Sequence, residues 1–94
     1  MAYIAKTDGT REAIPTPVTL EQAKKVLGGW VEKVTPRKSP GVVFLCNEEG
    51  LLKGLPLNAH GCELYGTEDH GAPIVGDIIV FESMKEAHNW VSPY

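Results

Sequence analysis

Apolar positions along this chain fall in short runs of changing period, and each change of period marks a new element. Ala2–Lys6 and Thr10–Ile14 alternate in part on either side of Asp8-Gly9. Both residues of that pair tolerate the positive φ of a type I′ turn, so the pattern predicts a β-hairpin. Pro15 and Pro17 end its second strand, because neither donates to a ladder. Over Val18–Gly29 the period lengthens. Leu20, Ala23, Val26 and Leu27 share one helical face, and Glu21 and Lys25 pair on the other. Thr19 is a natural N-cap, Gln22 completes a capping box, and Gly28-Gly29 supplies a left-handed stop.

Trp30–Val34 alternates again and predicts a strand, followed by a basic turn bounded by Pro36 and Pro40. Gly41–Cys46 is almost wholly apolar and β-prone, which suits an interior strand covered on both faces. Asn47–Gly50 predicts a tight turn with Gly50 in the left-handed region, and Leu51–Leu55 an antiparallel return strand. After Pro56, Asn58 is a good N-cap for one or two helical turns, with Leu57 stapled against Cys62 and Gly66 at the stop. Thr67–Pro73 reads as a polar loop and Gly76–Phe81 as the last strand. Ser83 and Glu86 form a second capping box, opening a short helix through about Asn89. Connections this short join antiparallel strands. The expected fold is α+β: a mainly antiparallel sheet with one principal helix packed on it and one or two short helices, in a single domain spanning 1–94.

Composition narrows the function classes. Apolar residues make up 43% and charged residues 22% of the 94, which is ordinary for a folded soluble chain. No apolar run approaches the roughly 20 residues that span a bilayer, and the N-terminus lacks the pattern of a signal peptide. Cys46 and Cys62 do not form a disulfide framework, so a reducing cytoplasm is the expected setting. The net charge of -3 argues against non-specific nucleic-acid binding. Residues 54–94 carry Lys85 as their one base against six acids, an asymmetry that is either a solvated face or a surface for a basic partner.

Candidate chemistry is sparse. His60, Cys62 and His70, with Glu68 or Asp69 nearby, are the cluster closest to a metal or Cys/His catalytic set, but the second half of a zinc spacing is loose. Cys62 sits a full turn inside its helix, where activation by the helix N-terminus has faded. No P-loop and no nucleophile elbow is present. No metal or cofactor is therefore expected, and the balance leans away from an enzyme. What remains is binding. Asn47, Lys53, Asn58 and Asp77 are polar residues set at the ends or in the middle of apolar elements. Lys53 and the start of the Asn58 helix together suit a small anion.

The segments Cys46-Asn47-Glu48-Glu49-Gly50, Lys53-Gly54-Leu55-Pro56-Leu57-Asn58 and Pro73-Ile74-Val75-Gly76-Asp77-Ile78-Ile79-Val80 resemble DUF3846, a family of small phage, plasmid and bacterial proteins of unknown function. The resemblance extends over most of the chain, departing in the tail from Ser83 to Tyr94. It implies a mobile-element origin and a compact α+β fold, and it brings no catalytic residue. The expected function is non-enzymatic binding of a host protein or a small nucleotide-like anionic ligand, directed against host defence. The alternatives are an acidic interaction module or nucleic-acid mimic and, last, a small Cys/His enzyme. An open sheet edge at the first hairpin also allows a homodimer.

Overall fold

The computed structural model describes residues 1–87 and residue 90; of residues 69 and 70 the backbone alone is described. The first hairpin is formed by β1 (Tyr3–Ala5) and β2 (Arg11–Ala13), with Ala5 opposite Arg11. Its turn differs from the expected type I′. Asp8 keeps a negative φ and only Gly9 is left-handed, at 90°. The Gly9 N–H donates to the Lys6 carbonyl and the Lys6 N–H to that of Thr10, as in a turn closed by a left-handed glycine bulge. The Asp8 carboxylate accepts from both the N–H and the hydroxyl of Thr10, which favours this form.

Helix α1 (Leu20–Leu27) carries the expected Thr19–Gln22 capping box and ends at left-handed Gly28. It leads to β3 (Val31–Val34) and β4 (Val43–Asn47). After a run of turns come α2 (Ala59–Tyr65), the one-turn α3 (Thr67–His70) and β5 (Ile78–Phe81). The sheet order is β2-β1-β5-β4-β3, and every neighbouring pair is antiparallel. The fold is α+β.

Alternation along the interior strands divides the core into two layers. Ile4, Val43, Leu45, Ile79 and Phe81 point to one face, where they meet Ala23 and Leu27 of α1. Ala5, Phe44, Cys46, Ile78 and Val80 point to the other, where Cys62, Leu64 and Tyr65 of α2 cover them. A strand buried on both sides needs apolar side chains at every position, which is why Val43–Cys46 reads as a continuous run. The single principal helix expected from the sequence thus gives way to two helices of similar length on opposite faces. Trp90 closes the first layer, its indole N–H donating to the Val18 carbonyl at 2.9 Å.

Four local expectations are corrected. Leu51–Leu55 is not a strand: Glu48–Gly54 is a run of turns, with the Lys53 N–H bonded to the Glu49 carbonyl and that of Gly54 to Leu51. Gly50 is not left-handed; Gly54 is, at φ 66°. Gly50 is required instead for close approach, because a Cβ there would lie 2.8 Å from Val75 Cγ2. Leu57 is 63% exposed and bridges to Val75, so it does not staple the helix. Ser83 and Glu86 do interact, yet Glu86 Oε1 accepts from the Glu82 N–H and residues 84–87 form turns. The predicted continuation through Asn89 lies outside the described residues.

Candidate functional site

The four polar residues singled out by the sequence all serve as ties between segments. Asn47 ends β4 and is 7% exposed. Its Nδ2 donates to the Leu27 carbonyl at the end of α1 (2.9 Å), and its Oδ1 accepts from the Glu49 N–H (2.8 Å). Lys53 donates from Nζ to the neighbouring Gly28 carbonyl at 3.2 Å. A cation meeting the last carbonyls of a helix is the favourable end of the helix dipole. With the Glu48 N–H bonded to the Trp30 carbonyl, these contacts clamp the Glu48–Gly54 loop to the end of α1.

Asn58 is fully buried. Its Oδ1 caps α2 through the Gly61 N–H, and its Nδ2 donates to the carbonyls of Ala5 and Gly76, all at 2.9 Å. Asp77 accepts from the Thr7 N–H at 3.0 Å and so steadies the first hairpin. Asn47 and Lys53 share the end of α1, whereas Asn58 and Asp77 anchor β1 and its turn. The four are not gathered around one cavity.

The clamped loop instead frames a cleft of about 370 Å³. Its floor is Cys46, Tyr65, Pro73, Ile74 and Val75; one wall is the outer edge of β3 from Glu32 to Thr35, and Leu51 stands at its lip. Leu51 is 65% exposed and its neighbour Leu52 is 87% exposed, an unusual outlay of apolar surface for so small a chain. Trp30 at the same clamp is 57% exposed, with Lys24 Nζ 3.9 Å above its ring. Sequence reasoning missed this site by reading Leu51–Leu55 as a strand. The signal against that reading was present: LLKGL contains no β-branched or aromatic residue.

Among the described residues, Cys62 and His60 are engaged away from the cleft. Cys46 is buried beneath the cleft, with Glu32 Oε1 4.0 Å from its Sγ; burial first, and that carboxylate second, push its thiol up to about 11. Cys62 Sγ is engaged by the backbone of Ile74, donating to its carbonyl and accepting from its N–H. His60 turns to the first hairpin, its Nε2 2.7 Å from the Tyr3 hydroxyl. His60 and Cys62 therefore do not pair, and among the described residues no group of three metal-ligand side chains converges. The side chain of His70 lies outside the described residues. Of the C-terminal acids proposed as an interaction face, Glu82 and Glu86 meet the amino group of Met1. Among the described residues, no helix is long and apolar enough to cross a membrane.

With this geometry in view, comparison with known proteins gives one result. Residues 2–93 match the family described as a domain of unknown function, DUF3846. The chain belongs to that family. No curated protein and no solved structure matches it. Membership in DUF3846 thus covers both core layers and the loop that frames the cleft.

Proposed function

We propose that this DUF3846 protein is a non-catalytic binding protein of phage or mobile-element origin, acting in the host cytoplasm against a host defence factor. Its partner is a host protein, taken through an extended segment that adds to the free edge of β3. The observation that carries this reading is an open strand edge forming one wall of an apolar-floored cleft, with exposed Leu51 at its lip and exposed Leu52 next to it in the chain.

Hydrogen-bond phase identifies the available groups. The Glu48-to-Trp30 bond makes those two a hydrogen-bonded pair, so alternation turns Glu32 and Val34 toward β4. Val31 and Lys33 then direct their N–H and C=O groups outward, and nothing among the described residues takes them. A strand added here gains main-chain bonds at Val31 and Lys33 and can set an apolar side chain into the cleft.

The test compares capture of partner from host lysate by wild type, Lys33→Pro and Leu51→Glu/Leu52→Glu. Lys33→Pro deletes an outward N–H without touching the ladder, and edge strands tolerate proline. Both variants should keep wild-type circular dichroism and lose the captured protein. Undiminished capture by Lys33→Pro would refute strand addition.

A further inference from the structure

At the opposite edge of the sheet, the first hairpin closes over a cavity of about 90 Å³ against the start of α2. That volume is room for about three waters, or for one tetrahedral oxyanion. Its side-chain chemistry is one-sided for a chain of net charge -3: Lys6, Arg11 and His60 line it together with Thr7, Gly9 and Thr10, and no carboxylate among the described residues does.

The neighbouring acids are already engaged. Glu12 pairs with Lys6 at 3.4 Å, Asp8 accepts from Thr10, and Asp77 accepts from Thr7. Glu63, further along α2, acts on His60 only through space. Among the described residues Arg11 has no ion-pair partner. Its guanidinium lies 4.8 Å above the centre of the Tyr3 ring, and one of its nitrogens stands 3.4 Å from His60 Nδ1. Tyr3 in turn holds the other imidazole nitrogen at 2.7 Å. A stacked guanidinium that donates to Nδ1 and an imidazole oriented by Tyr3 at its other nitrogen thus stand side by side in the cavity wall. Burial and then the nearby Arg11 charge hold His60 below its ordinary value.

We propose that Arg11 and His60, with Lys6 at the rim, form a binding site for a phosphate group, free or at the end of a nucleotide. Arg11 supplies a forked pair of donors and His60 Nδ1 a third once protonated. This site is independent of strand addition at β3, since the two occupy opposite edges of the sheet. Either can fail without the other.

The experiment is a titration of the full chain with inorganic phosphate, and separately with AMP, following the His60 ring resonances by NMR. Saturable shifts and an upward move of the His60 pKa on saturation are expected, with affinity falling at least about tenfold in Arg11→Gln. Tighter binding of AMP than of phosphate identifies a nucleotide as the source; equal binding identifies free phosphate. Because Arg11 also covers Tyr3, Arg11→Lys serves as a second variant: it keeps the charge but loses the fork, and should bind with intermediate affinity. No saturable shift in wild type at millimolar phosphate, or equal affinity in wild type and Arg11→Gln, would overturn the assignment.

Discussion

Replacing Asn58 separates a structural role from a ligand-binding one. Its side chain is fully buried and makes three hydrogen bonds of 2.9 Å, to the Gly61 N–H and to the carbonyls of Ala5 and Gly76. In Asn58→Ala the lost cap costs about 1 kcal/mol. Each buried carbonyl left without its donor adds about 1–3 kcal/mol. The total, on the order of 3–7 kcal/mol, is a large share of the 5–15 kcal/mol typical of a domain. At about 4–8 °C per kcal/mol for a chain this size, the melting temperature should fall by at least about 12 °C. Asn58→Asp sharpens the test. Aspartate is as good an N-cap as asparagine on an exposed helix, and it would still accept from Gly61. Its second oxygen, however, would face two carbonyl oxygens in a fully buried site, so Asp should be worse than Ala. Thermal and urea unfolding followed by circular dichroism measures both. An Asp variant as stable as wild type would refute the burial and hydrogen bonding assigned to Asn58 and reopen it as a ligand contact.

Other substitutions probe the two layers and the titrating groups. Gly61→Ala should destabilise by about 1–3 kcal/mol in urea unfolding despite the better helix propensity of alanine, because the added Cβ would lie 2.6 Å from Ile74 Cγ2. Leu27→Asp should abolish cooperative unfolding, since it sets an unpaired charge in the first core layer. Cys46 should resist iodoacetamide at pH 8, where only about one thiol in a thousand is ionised; rapid modification of the native chain at Cys46, read by peptide mass, would contradict its burial. His60 is depressed in the folded state, so below about pH 6.5 the unfolded chain takes up its proton more readily and stability falls with pH. His60→Gln removes that penalty, and the stability gap between the two proteins should narrow from pH 7 to pH 5 in a buffer without phosphate.

The elements legible in the sequence were those whose signal is local. The Thr19–Gln22 box, the Gly28 stop and the two-sided apolar run of β4 carry their own reasons, and the structure places each where the pattern did. The second helix layer was under-read because α2 has few long apolar residues; Gly61 packs against Ile74 and Ile78 by being small, which hydropathy does not register. The candidate site was harder to see. A buried asparagine and an exposed one look alike in a sequence, and the partners of Asn58 lie 53 and 18 residues away. Equally, the cleft is made by residues from β3, β4 and the 72–75 segment, which only the sheet order brings together.

That same sheet order bears on what can occupy the β3 edge. An antiparallel strand from a second copy, related by a two-fold axis normal to the sheet, must set residues of the same face opposite one another. Glu32 lies opposite Cys46 on the α2 face and Lys33 opposite Leu45 on the α1 face, so Glu32 cannot be matched with Lys33 of the copy. The two registers of fullest overlap centre on Glu32 against Glu32 or on Lys33 against Lys33, and like charges directly opposite are destabilising. Self-pairing is disfavoured by the strand's own sequence, the usual protection of an exposed edge. A heterologous strand escapes the restriction, needing only residues other than Glu opposite Glu32 and other than Lys or Arg opposite Lys33. Charge reversal makes the distinction measurable. Lys33→Glu leaves one register with glutamate against glutamate at its centre as before and gives the other the same repulsion. The variant should therefore remain as wild type in sedimentation velocity while its affinity for a strand partner carrying an acid at that position falls. A wild-type dimer that dissociates on Lys33→Pro would instead mean that the edge pairs with its own copy.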